Sequence, residues 1–425
     1  MFSGLDEALA YVSSTPWTGA KLDLSRVRRL CALLSDPQDS LRCVHIAGTN
    51  GKGSTAAMLA SVLKCAGVRF GFYVSPPLHS FNERIQVDGR WIADAEVVSL
   101  AWEIKQAAEK MPDPPTEFEK ITAMAFMHFA RSGCELAVLE VGMGGRLDAT
   151  NVIPPPLAAV ITTIGLDHTE FLGKSKALIA AEKCGIIKRG SVRVIAHPQE
   201  AEVEGVIDAK CCEESVPLRK VAQKDIASQG IGIGGQAFMY GGESYSLSLL
   251  GRHQLQNAAA VIETVGALRE CGYRIGDGHL RDGLLKAKWP ARFEILQKEP
   301  LFILDVAHNP SGVGTVIDTM CDIAAEKTAV FLIGVLMDKD YAKMLCKLAP
   351  RASEIVAVPT AGPRGLPAHE IARAASAIGL RAAAYGSVEE GVRASIAAAA
   401  ETAESGVACA LGSISIANEV RRCFR

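Results

Sequence analysis

A chain of 425 residues with 49% hydrophobic side chains holds more than one ordinary core, so two domains are expected. Its 45 Lys and Arg nearly balance 47 Asp and Glu, and a net charge of −2 excludes a broad nucleic-acid-binding face. Twelve cysteines are scattered without a CxxC pair, which points to reduced thiols in a cytoplasmic protein rather than a disulfide framework or a zinc site.

From the amino terminus, Met1–Tyr11 is mixed and acidic with no basic-then-apolar leader, and no apolar run approaches a membrane span. The apolar run Cys43–Ala47 ends in a Gly-rich turn, Gly48-Thr49-Asn50-Gly51-Lys52-Gly53, followed by Ser54 and Thr55. Helical spacing starts there, with Met58, Leu59, Val62, Leu63 and Ala66, and Gly67 stops it. A strand, a glycine loop with one lysine, and a helix opening on hydroxyls is how a triphosphate is held. Glycines admit backbone N–H groups to the phosphates, the helix N-terminus favours negative charge, and the lysine reaches the terminal phosphates. The standard loop is matched imperfectly: Gly53 separates Lys52 from the hydroxyls, and Ile46 stands where the first glycine belongs. An ordinary Gly-rich strand-to-helix turn is the competing reading.

Further on, Leu136–Val141, Leu157–Ile164, Val192–Ala196, Leu301–Val306, Ala329–Leu336, Glu354–Val358 and Val407–Leu411 are nearly continuous apolar runs, as in parallel strands covered on both faces. Helical patterns such as Pro115–Arg131, Lys174–Cys184 and Leu255–Cys271 alternate with them. The stretch Ile231–Leu250, IGIGGQAFMYGGESYSLSLL, breaks the alternation and reads as a Gly-punctuated antiparallel hairpin. A proline after a helical stretch marks a boundary at Lys286–Arg292, and a second βα series runs from Leu301 to Phe424 without a phosphate loop. The expected fold is α/β in two domains. Residues 1–288 form a P-loop ATPase-type parallel sheet with a small antiparallel hairpin region, and 292–425 a Rossmann-like α/β domain.

Ligands of open α/β sheets bind beyond the carboxyl ends of the strands. Glu140 sits at such an end, placed either to hold Mg²⁺ or to pair with an arginine. His168, after Asp167, is at another, and the residues alone leave it open between a structural histidine and a ligand. By itself Lys183 is a helix-surface lysine, Arg252–Asn257 a helix cap, and Asp338–Asp340 a cap as readily as a catalytic group.

The string GTNGKGST resembles the phosphate loop of the Mur ligase superfamily, which joins amino acids to carboxylates using ATP. Within it the chain is similar to folylpolyglutamate synthase and the bifunctional dihydrofolate synthase. YVSPPL, LEVGMGGRLDATN, LDHTEFLG, AAEKCGII, RHQLQN, WPAR, DVAHNP, GVLMDKD and ALGS carry the likeness onward. Departures are Val74 and Pro77 beside Ser75, Ala291 for a glycine, and Val306 for a glycine. The resemblance implies ATP held by Gly48–Thr55 with Asn257, Arg292 and Asp305, and two Mg²⁺ ions held by Ser75, Glu140, His168 and Lys183, the lysine as a carbamate made from CO₂. It implies catalytic roles for Lys52, Lys183 and His308, with His308 meeting the incoming glutamate or phosphate and Ser413 near the glutamate subsite. Thr116–Glu119 and Gly145–Asn151 look like pterin-side segments, where Arg146 and Asp148 offer a charged pair for the acceptor or a loop salt bridge.

The implied activity is ATP-dependent addition of L-glutamate to dihydropteroate and to the γ-carboxyl of folates through an acyl phosphate, by a cytoplasmic monomer with no nucleic-acid or membrane partner. Folate polyglutamylation alone is one alternative, and a P-loop NTP-binding regulatory module without ligase chemistry is another. A cell-wall Mur ligase is disfavoured because only 47 residues precede Gly48, too few for the UDP-sugar domain such enzymes carry there.

Overall fold

The computed structural model describes residues 2–15, 23–324, 327–401 and 406–424. The chain divides into two compact units, Met1–Ile226 with Gln256–Ala287, and Ala227–Leu255 with Lys288–Arg425.

Eight strands form the sheet of the first unit: β1 Cys43–Ala47, β2 Phe70–Tyr73, β3 Ile85–Val87, β4 Arg90–Trp91, β5 Leu136–Glu140, β6 Ala158–Ile161, β7 Arg193–Ala196 and β8 Leu218–Lys220. Their spatial order is β4-β3-β2-β5-β1-β6-β7-β8. From β2 to β8 every pairing is parallel, and β3 and β4 add an antiparallel edge. The parallel strands are short, and β1, β2, β5 and β6 are buried at every position, as strands covered on both faces must be. Register matters more than length here. Ile46 lies opposite Glu140, Ala47 opposite Ile161, and Tyr73 opposite Leu139. The carboxyl ends of four strands therefore reach one edge of the sheet together, where the strand order reverses around β1.

The second unit holds β9 Ala227–Gly232, β10 Gly235–Tyr240 and β11 Glu243–Leu247 in one antiparallel sheet. A mixed sheet follows, of β12 Glu294–Lys298, β13 Leu301–Leu304, β14 Ala329–Ile333, β15 Ala352–Ala357, β16 Ala382–Ala384 and β17 Val407–Leu411. Its order is β12-β13-β17-β14-β15-β16, parallel except for β12. The Gly-punctuated stretch is thus three strands rather than one hairpin. It falls with the second unit, not within a first domain ending at 288. The reason is apolar packing: Leu250 belongs to the core of Phe293, Ile303 and Phe331, and Ile231 packs against it. Among the described residues no helix is long and apolar enough to cross a membrane.

Candidate active site

β1 runs into the loop Gly48–Gly51, and the helix Lys52–Cys65 begins at once. Gly48 has a φ of +157°, and a Cβ there would lie 1.8 Å from Thr162 Oγ1. Gly51 has a φ of +92°, and its Cβ would lie 2.5 Å from Asn257 Oδ1. Only glycine fits either place. The second contact also puts buried Asn257, from the helix Arg252–Glu270, against the loop. The Thr49 and Asn50 N–H groups both donate to Thr163 O, at 2.9 and 3.2 Å, and Thr49 Oγ1 donates to Gly165 O at 3.0 Å. These bonds pin the loop to the end of β6. The N–H groups of a first helical turn are the natural donors to an anion there. Thr55 Oγ1 is buried at the same turn without a partner, a polar atom waiting for one.

Two lysines converge on one carbonyl. Lys52 Nζ donates to Gly48 O at 3.1 Å, and Lys183 Nζ donates to the same oxygen at 2.7 Å. Lys183 comes from the last turn of the helix Lys176–Lys183 and is only 4% exposed. Burial pushes its amine down to about 7, and the Lys52 charge adds to this, while Asp167 and Asp148 pull the other way. The surface-lysine reading of Lys183 therefore fails.

Glu140 ends β5, buried, and its Oε2 accepts from the Ser75 N–H at 3.4 Å. His168 stands on the loop after β6 with φ +49° and a side chain 43% exposed, beside Asp167. Among the described residues no cluster of three His, Cys, Asp or Glu side chains is arranged for a metal; the expected set holds only two of these types, with a serine and a lysine. Oxygens of Glu140 and Ser75 suit Mg²⁺, whereas an amine at Lys183 suits it only once it has become an anion.

The segment after Glu140 differs from its expected pairing. Arg146 and Asp148 do not pair with each other. Arg146 Nη2 meets Glu182 Oε1 at 2.7 Å, while Asp148 is buried and caps its own loop. Asp148 Oδ1 accepts from Thr150 N at 3.0 Å and Thr150 Oγ1 at 2.5 Å, and Oδ2 accepts from Met143 N at 2.9 Å. Burial pushes its carboxyl up, and these bonds pull it back. The Thr150 hydroxyl gives its proton to Asp148, so it accepts from His45 Nε2–H at 2.8 Å. Thr116 and Glu119 form a reciprocal capping box on the helix Glu117–Arg131. Sequence reading missed both features. The Thr-x-x-Glu spacing signals the box, and a histidine inside the otherwise apolar β1 signals the network.

In the second unit, Asp305 follows β13. It is half-buried; its Oδ2 accepts from Phe293 N at 2.8 Å and its Oδ1 from Ala307 N at 2.7 Å. Burial raises its carboxyl, and Arg292 and His308 oppose that. The Gly412 N–H donates to Ala307 O at 2.9 Å, which sets Ser413 beside the Asp305–His308 turn. Ser413 caps the helix Ile414–Arg422 through Ser415 N. His308 Nδ1 bonds Val306 O at 3.0 Å. Asp340 caps the helix Tyr341–Leu348, accepting from Lys343 N.

Residues 46–265 match the Mur ligase middle domain, and 291–413 match the Mur ligase glutamate ligase domain. The chain is 36% identical over 367 residues to a Bacillus subtilis dihydrofolate synthase/folylpolyglutamate synthase, covering 84% of this chain and 85% of that one. It is 35% identical over 374 residues to folylpolyglutamate synthase of Lacticaseibacillus casei, covering 85% and 87%. The structure superposes on Mycobacterium tuberculosis folylpolyglutamate synthase complexed with ADP and AMPPCP with a TM-score of 0.88 at 32% identity, over 99% of this chain and 98% of the other. It superposes on E. coli FolC in complex with DHPP and ADP with a TM-score of 0.85 at 30% identity, over 99% and 97%. The chain belongs to the Mur ligase family, in its folylpolyglutamate synthase and dihydrofolate synthase branch.

Proposed function

We propose that this enzyme uses ATP to join L-glutamate to dihydropteroate and to the γ-carboxyl of reduced folates. The observation that carries the reading is the convergence of Lys52 and Lys183 on Gly48 O, at a strand edge that also carries Glu140 and Ser75. A carboxylate is a poor electrophile. Its oxygen attacks the terminal phosphorus of ATP, the bond to ADP breaks, and an acyl phosphate results. The glutamate amine then attacks the acyl carbon, phosphate leaves, and the amine proton passes to solvent or a base. Lys52 and the first-turn N–H groups steady the phosphoryl charge. Asn257 supports the loop at Gly51. In the second unit Arg292 and Asp305 serve the nucleotide, and His308 and Ser413 the glutamate side.

Lys183 is carbamylated in this reading: its neutral amine adds to CO₂ and loses one proton, leaving an N-carboxylate. Burial supports this because it lowers the amine to about 7, so the neutral, nucleophilic form is populated near neutral pH. With Ser75, Glu140 and His168 the carbamate would hold two Mg²⁺ ions, which when bound neutralise charge on the transferring phosphoryl group. Arg146 and Asp148 border the acceptor, Asp148 by shaping the loop. The enzyme works as a cytoplasmic monomer, a compartment supported by its twelve free thiols.

The test is phosphate release from purified protein with MgATP, supplied with L-glutamate and either dihydropteroate or tetrahydrofolate. Release that needs both co-substrates, with labelled glutamate in the product, is expected for each acceptor. ATP hydrolysis indifferent to them would overturn the ligase reading. Use of tetrahydrofolate alone would reduce it to polyglutamylation.

A further inference from the structure

Arg84 closes the short turn Phe81–Arg84 that leads into β3. The Val74 N–H donates to Arg84 O at 3.1 Å, so its backbone is fixed at the carboxyl end of β2, level with the residue before Ser75. Its two neighbours in the turn are occupied structurally. Asn82 Nδ2 donates to Ile92 O and Asp94 Oδ1, and Glu83 Oε2 accepts from Leu78 N and His79 N. Arg84 is different. Its Nε is shut off from solvent and has no hydrogen-bond partner. A guanidinium donor withdrawn from water and left unmatched is uncommon and asks for an acceptor that the chain itself does not provide.

The surroundings say what kind. Tyr73, fully buried, lies beside it on β2. The Ser75 N–H, one residue beyond Val74, donates to Glu140 Oε2, so the Arg84 turn sits at the strand edge that carries Ser75 and Glu140. Phe118 closes it on another side, touching the space a side chain at Gly142 would fill, with its ring 6.1 Å from that of Tyr73. An arginine fork beside aromatic rings fits an aromatic acid presenting a planar carboxylate.

We infer that Arg84 anchors the acceptor through the carboxylate that is to be activated. The inference rests on the proposed ligase function. Dihydropteroate has one carboxylate, the reacting one, while a folate monoglutamate has a second, spectator carboxylate. Arg84→Gln and Arg84→Lys are compared with wild type by calorimetric binding of each acceptor and of ADP, by steady-state turnover, and by Tm. Arg84→Gln is expected to weaken both acceptors by at least about tenfold, the value of one charge-assisted hydrogen bond. ADP affinity and Tm should be unchanged, and Arg84→Lys should recover part of the loss. Weakening of the folate alone would assign Arg84 to the spectator carboxylate and overturn the inference. Unchanged acceptor binding would overturn it as well, as would a lowered Tm with ADP and acceptors weakened alike. If wild type turns over and Arg84→Gln binds both acceptors normally, only the role of Arg84 falls. If wild type neither turns over nor binds either acceptor, both readings fall.

Discussion

Mild acid should destabilise the first unit, and His45 makes the effect measurable. The ring is fully buried in β1 and donates through Nε2 to Thr150, while Nδ1 has no partner. Burial, with the Lys188 charge adding to it, holds the imidazolium form off until about pH 3, against 6.5 for the ordinary group. The unfolded chain takes up the proton below pH 6.5 and the folded chain does not. Stability is therefore intact above 6.5 and falls as pH drops toward 3, by about 1.4 kcal/mol per unit. At pH 5 the loss from His45 is about 2 kcal/mol. His197, equally buried with Nε2 unpartnered and likewise held down to about 3, loses about 2 kcal/mol more by the same rule. Together that is a large part of a marginal stability of about 5–15 kcal/mol.

The variant His45→Gln retains a donor for Thr150 and has nothing to titrate. Asp148, whose carboxyl shifts in the opposite sense, is present in both proteins and cancels. Scanning calorimetry at pH 7 and pH 5 should show wild type losing more than the variant, by about 4–8 °C in Tm for about 2 kcal/mol in a unit of this size. Equal losses in the two proteins would refute the reasoning, since they would mean that His45 is solvated or protonated in the fold.

Other perturbations separate catalysis from structure. Lys52→Ala should lower turnover by at least about 100-fold with Tm retained, because phosphate-clamping groups contribute several kcal/mol; near-normal turnover would remove Lys52 from the site. Lys183→Ala should be inactive and partly rescued by acetate or another short carboxylic acid standing in for the carbamate, with chloride at equal ionic strength as the control. Lys120 is a different case: its Nζ donates to Tyr11 O, Val12 O, Ser14 Oγ and Thr15 Oγ1, tying down the end of the helix Leu5–Ser13. Lys120→Met leaves those carbonyls unmatched and should cost at least about 2 kcal/mol in urea unfolding, with KM for ATP unaltered.

The strand, loop and helix around Lys52 were legible because periodicity, glycines and hydroxyls all agree there. The apolar runs gave the other parallel strands to within a few residues, Leu136–Val141 becoming Leu136–Glu140 and Val407–Leu411 unchanged. Edge strands were not legible: β16 is three alanines and β4 two exposed residues, too short for any period. Glycines at 230–242 marked turns but carried no information on which core would take Ile231 and Leu250. Tertiary pairing was equally hidden. Nothing in the spacing of Arg146, Asp148 and Glu182 shows that the arginine chooses the glutamate 36 residues away. Lys183 was reached only through resemblance, since one lysine in a helix looks like any other.

That last point has a physical content. Lys52 and Lys183 are the same residue type, and both donate to the same oxygen, Gly48 O. What distinguishes them is the element each comes from. Lys52 opens its helix at the mouth of the loop, where phosphate charge is to be met, and a cation is useful there. Lys183 closes its helix beneath the loop, 4% exposed, with Lys52 already present. A second cation in that place is disfavoured by burial and by the first cation. Loss of a proton removes both penalties and leaves a nucleophilic amine beside a phosphate loop. Two buried carboxylates, Glu140 and Asp148, complete the surroundings, the latter already saturated by Thr150 and Met143. In the proposed function, chemistry in this part of the molecule follows from depth more than from residue type: the outer lysine would steady charge, and the inner one would be free to change it.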